Sequence, residues 1–104
     1  MKDHWWDKLK TYIDKIVEEV KQTLHIKDEK LAQMYALLVL TKGENITLKD
    51  VHDAWAMNMN YKKTTDYCYG HEHKSIVPFD QLDVEVQNKD TKFVDKLKEI
   101  ANKI

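Results

Sequence analysis

The chain contains no arginine, two glycines, one proline and one cysteine among its 104 residues, and each scarcity excludes something. All 17 basic residues are lysines, so the planar fork that grips phosphate, carboxylate or guanine in a bidentate manner is missing. Gly43 and Gly70 are too far apart in sequence to write a P-loop or a dinucleotide fingerprint. A lone cysteine, Cys68, agrees with a reducing compartment. The most apolar stretch, around Tyr35 to Leu40, falls far short of the length that crosses a bilayer. The opening residues Met1 to Asp7 turn to charge too early to hold a signal-peptide core. A cytoplasmic location without a membrane partner is therefore expected.

Charge of one sign is also lacking. Residues 1–45 carry eight lysines against eight acids and the remainder nine against ten, for a formal net charge of -1. The charges are interspersed, as on solvated helix faces, and no basic face suited to a nucleic-acid duplex follows. The exclusive use of lysine beside many Asn and Ile residues fits an A+T-rich coding sequence, as in a low-GC bacterium or its phages.

What is present is helical periodicity. Trp5, Leu9, Tyr12, Ile13, Ile16, Val17, Val20 and Leu24 recur at spacings of three and four, which predicts an amphipathic helix from Asp3, its N-cap, to Leu24. A second helix is expected from Asp28 to about Thr41, apolar nearly all round in its last turns and hence the most buried, with Lys42-Gly43 as its stop. Thr47-Leu48-Lys49-Asp50 has capping-box spacing and opens a third helix to about Asn60, with Leu48, Val51, His52, Trp55 and Met59 on one face. Residues 61–82 lose the period and read as a structured loop with a strand-like stretch. A last helix from Asp83 onward turns Val86, Phe93, Leu97, Ile100 and Ile104 inward. The expected fold is mainly α: a small single domain of about four helices, with residues 1–45 forming a helical extension packed on residues 48–104.

The chemistry gathers in the third helix and the loop: His52, Trp55, Tyr61, Lys62, Lys63, Tyr67, Tyr69, His71, His73, Lys74 and Phe79. Aromatic faces beside ammonium and imidazole donors suit a ligand with a flat base and anionic groups. Two readings stand side by side for His52 and Trp55, since the same helical stripe describes a packed core tryptophan with a satisfied histidine. Tyr67 and Tyr69 share parity and would face one way in an extended segment. Cys68, His71 and His73 lie within six residues, but a zinc site would need a fourth ligand such as His52 or His4; no metal and no cofactor are expected. No pair of titratable groups has a recognised acid–base spacing, and no catalytic residue is assigned.

From Leu48 onward the chain resembles the ryanodine-receptor repeat (RyR) domain. Val51-His52-Asp53-Ala54-Trp55-Ala56 is similar to that family's V-H-x-x-W-A, Tyr67-Cys68-Tyr69-Gly70 to its G-W-x-Y-G, and Ile76-Val77-Pro78-Phe79-Asp80-Gln81-Leu82 to its L-V-P-[YF]-x-x-L. Asp66 replaces the glycine before the aromatic pair, and the long loop after Gly70 is cut to His71-Glu72-His73-Lys74-Ser75, without the family's arginine and aspartate. The resemblance implies a mostly helical fold with a pocket for an adenine-type or NAD-derived, ADP-ribose-like nucleotide, non-enzymatic capture, and in a phage a sponge against bacterial immune signals. It makes Tyr67 and Tyr69 the stacking residues, flanked by His52, Trp55, Tyr61, Phe79, His71, His73 and Lys74. The alternative is a protein-interaction module whose first two helices bind another protein. Exposed aromatics of the first helix such as Trp6 suit a homo-oligomer.

Overall fold

A computed structural model describes residues 10–65 and 76–104. Helix α1 (Tyr12–Leu24) begins at a capping box: the Thr11 hydroxyl accepts from the Asp14 amide at 3.1 Å and the Asp14 carboxylate accepts from the Thr11 amide at 3.0 Å. This corrects the expected start at Asp3. Thr11-Tyr12-Ile13-Asp14 repeats the Thr-x-x-Asp spacing of residues 47–50, and the box forces Thr11 into an extended backbone that no continuous helix can pass through. Trp5 and Leu9 lie outside the described residues. Tyr12 is 68% exposed, so the inward stripe of α1 is Ile16, Val17, Val20 and Leu24.

His25 closes α1 in the left-handed conformation. Asp28 then caps α2 (Glu29–Lys42), accepting from the Leu31 amide at 3.2 Å. This helix packs against α1, α3 and α5, burying Ala32, Tyr35, Ala36 and Val39. Its last turns are not buried all round: Leu37 is 58% and Leu40 39% exposed.

Gly43 ends α2 at φ 55°, ψ -124°, a backbone conformation that strains any side-chain-bearing residue. A Cβ added there meets nothing within 4 Å, so the penalty for Gly43→Ala is backbone strain alone. The variant should lose about 1–2 kcal/mol, read as a lower urea midpoint with an unchanged denaturant slope.

The chain next makes a tight turn over Gly43–Asn45 and buries Ile46, then enters α3 (Leu48–Thr65). The expected Thr47–Asp50 box is formed, with reciprocal hydrogen bonds of 2.9 and 3.1 Å. The helix continues through Tyr61 to Thr65, where a loop is expected from sequence. Tyr61 to Thr65 contain no glycine or proline to stop a helix, and Lys62 gains a tertiary anchor: its ammonium lies 2.5 Å from Asp28 Oδ2. Among the described residues no strand occurs; residues 76–82 make an extended approach followed by a tight turn at Phe79–Gln81.

The last segment is also not one helix. A single turn, α4 (Val84–Gln87), tightens over Asn88–Asp90 before α5 (Thr91–Lys103) resumes. Asn and Asp compete with the helical backbone through short polar side chains, and the Thr91 hydroxyl donates to the Asn88 carbonyl at 2.8 Å. Beyond the break Val94, Leu97 and Ile100 are buried, whereas Ile104, one residue past the end of α5, is 66% exposed and does not turn inward as expected. One core joins α1, α2, Ile46, Val51 of α3 and α5, with the Tyr35 and Phe93 rings 6.5 Å apart at its margin. Burial, with Asp90 nearby, pushes the Tyr35 hydroxyl well above its usual range, so it stays protonated. Among the described residues no helix is long and apolar enough to cross a membrane.

Candidate functional site

His52 is buried on α3 and its Nε2 lies 2.7 Å from the Val77 carbonyl oxygen. A carbonyl only accepts, so Nε2 carries the proton and donates. This bond ties the 76–82 segment to α3. Trp55 stands one turn along the same face, its ring centroid 5.8 Å from the imidazole, and the Phe79 ring lies 6.0 Å from the imidazole. The tight turn that delivers Phe79 is held by Gln81 N–H to the Pro78 carbonyl at 2.9 Å and Leu82 N–H to the Phe79 carbonyl at 3.1 Å.

Opposite these aromatics lies the broken start of the terminal segment. A half-open cleft of about 180 Å³ is lined by His52 and Trp55 of α3, by Phe79 and Leu82 of the turn, and by Val86, Gln87, Lys89 and Asp90 of the terminal segment. Gln87 ties the terminal segment to the turn, its Nε2 donating to the Phe79 carbonyl at 2.9 Å. Burial raises the Asp90 carboxyl above its ordinary range, with His52 and Lys89 pulling partly against it. Lys89 is exposed at the rim.

The structure thus brings His52, Trp55 and Phe79 together. Tyr61 is not with them: it is 47% exposed, and Lys30 of α2 places its ammonium 4.3 Å from the ring centroid. Tyr67, Tyr69, His71, His73 and Lys74 lie outside the described residues, as do Cys68 and His4. Among the described residues no three His, Cys, Asp or Glu side chains group as a metal site. Sequence reasoning missed Leu82, Val86, Gln87, Lys89 and Asp90. The signal that points to them is the Asn88-Lys89-Asp90 interruption of the terminal apolar stripe, which turns the preceding and following residues toward α3.

Larger depressions lie elsewhere, among them two along α1. A groove of about 560 Å³ between α1 and α2 is lined by the exposed Ile13, Leu37 and Leu40, by the buried Val17 and Ala36, and by charged side chains such as Lys10, Glu18 and Glu29. A second of about 320 Å³ lies between α1 and α5, around Tyr12, Ile16, Ile100 and Ile104.

Residues 9–102 match the family described as Domain of unknown function (DUF7701). This match overturns the resemblance to ryanodine-receptor repeats. The motif pieces that suggested it have local explanations: Val51, His52 and Trp55 fall at ordinary helix-face spacing, and the Ile76–Leu82 piece is an extended approach followed by a tight turn. No curated protein and no solved structure matches the chain.

Proposed function

We propose that this chain, which belongs to the DUF7701 family, is a non-enzymatic binding protein whose cleft takes the flat base of a small nucleotide, of the adenine type. The observation that carries the reading is the convergence of Trp55, Phe79 and His52 with Gln87, Asp90 and Lys89 on one cleft. Aromatic faces hold a planar ring by stacking, and the polar side chains fix its edge. Size narrows the ligand. A cavity of about 150 Å³ admits benzene, whereas drug-sized ligands occupy about 300–1,000 Å³. A cleft of about 180 Å³ accordingly suits the base, with ribose and phosphates outside it near Lys89.

Calorimetry of the full chain with adenosine, AMP and ADP-ribose tests this. At least one should bind, and Trp55→Ala should weaken that binding by about tenfold or more, because stacking contributes about 1–3 kcal/mol per base. Absence of heat with all three at millimolar concentration would sink the reading.

A second reading rests on the α1–α2 face, where Ile13, Leu37 and Leu40 are 37%, 58% and 39% exposed. Contiguous apolar exposure of this kind marks protein contact, so the helical N-terminal half would bind another protein or a second copy. Under this reading sedimentation velocity over a wide concentration range shows association in the wild type, lost in Leu37→Glu and kept in Trp55→Ala. A monomer at every concentration removes the second-copy form.

A further inference from the structure

The hydrogen-bonding groups of the cleft are unevenly available. One N–H of Gln87 Nε2 is committed to the Phe79 carbonyl, which leaves the amide oxygen as an acceptor beside the second N–H. The His52 Nε2–H is committed to the Val77 carbonyl, so in the neutral ring Nδ1 is left as an acceptor. Asp90, half-buried at the same cleft, has no hydrogen bond or ion pair among the described residues. It also makes no capping bond to α5 although it occupies the N-cap position. Gln87 Oε1, His52 Nδ1 and the Asp90 carboxylate thus offer acceptors to the cleft, while the exposed Lys89 puts an ammonium donor at the rim.

We propose that the cleft selects bases carrying an exocyclic amino group over those lacking it, with Asp90 as the specificity-determining residue that accepts from that group. The inference rests on the binding reading above and names the edge of the ligand it requires. A half-buried carboxylate without a donor is held in an unfavourable state, consistent with the upward displacement of its titration by burial. An amino group supplies the missing donor, and a charge-assisted bond of this type is stronger than a neutral one. A base with hydrogen at the same position offers Asp90 no donor.

The test uses two pairs of nucleosides that differ only in the amino group: adenosine against purine riboside, and guanosine against inosine. In calorimetry with the full chain, the amino member of whichever pair binds should be favoured by about five- to tenfold. Asp90→Ala should reduce that preference to within about twofold while retaining the weaker binding of the amino-free member, and its thermal melt should stay cooperative. Equal affinities within both pairs for the wild-type chain would overturn the inference and leave the cleft reading intact. If neither pair binds at all, the cleft reading falls and the inference falls with it.

Discussion

Replacing Asp28 with alanine should lower the stability of the fold by about 3 kcal/mol. Asp28 acts in two places. One carboxylate oxygen caps α2 by accepting from the Leu31 amide at 3.2 Å, an interaction worth about 1 kcal/mol. The other receives the Asn58 side-chain amide at 3.0 Å and the Lys62 ammonium at 2.5 Å, tying the start of α2 to the far half of α3. Asn58 is 2% exposed, and its Oδ1 has no hydrogen-bond partner among the described residues. Without Asp28 the amide nitrogen would join the oxygen in lacking a partner, at about 1–3 kcal/mol. Asp28→Asn separates the contributions. Asparagine caps as well as aspartate, so this variant should lose only about 1–2 kcal/mol, from the ionic contact.

The same carboxylate gives the fold an acid-sensitive element. Burial alone would raise its pKa, but the Lys62 and Asn58 side chains and the Leu31 amide outweigh that and hold it at about 2, below the ordinary 3.8. The folded state therefore binds its proton less readily than the unfolded chain. The stabilisation is complete above the unfolded value and is lost as pH falls from about 4 through about 2. Linkage gives about 2 kcal/mol at neutral pH, and partial solvation trims this to roughly 1–2 kcal/mol. In urea titrations between pH 6 and 2, the wild-type midpoint should fall more steeply than that of Asp28→Asn. Parallel profiles would contradict this account of Asp28.

His52→Ala should cost a similar amount, about 2–4 kcal/mol, from the void left by a buried ring and the lost bond to the Val77 carbonyl. Its larger consequence is functional. The imidazole neighbours both Trp55 and Phe79, at 5.8 and 6.0 Å, and its bond to Val77 anchors the segment that supplies Phe79. Removing it should abolish base binding even where the protein stays folded. His52→Gln places an amide nitrogen near the position of Nε2, so it should recover a substantial part of the stability and some binding. If His52→Ala binds as well as the wild type, the cleft is not the binding site.

How much of this was legible in the sequence varies from residue to residue. Period and caps gave α2 and the start of α3 to within a residue, because Asp28 and Thr47 are strong local N-caps. The start of α1 is also written in the Thr11–Asp14 spacing, a local mark that the expectation of a start at Asp3, drawn from the apolar stripe reaching back to Trp5, does not use. The continuation of α3 to Thr65 has no comparable local mark; the contact of Lys62 with Asp28 is long-range and invisible to a window of neighbouring residues. The break at Asn88–Asp90 shows why the cleft was half seen. His52, Trp55 and Phe79 stand out by chemical type, whereas Gln87 and Asp90 read as ordinary polar positions of a helix until the backbone tightens and turns them toward α3. The family reading failed for a related reason: pieces such as Val51-His52 with Trp55 are shared by many amphipathic helices, so order alone did not make them diagnostic.

The central claim is that a flat base enters the cleft between α3 and residues 79–90. Nitrogen-15 chemical-shift mapping of the full chain titrated with AMP tests it most directly. The account predicts saturable shifts at the Trp55 indole N–H, the Gln87 side-chain amide and the backbone amides of residues 79–90, with α1 amides from Ile16 to Val20 unmoved. Shifts confined to the α1–α2 face, or none at millimolar AMP, would contradict it.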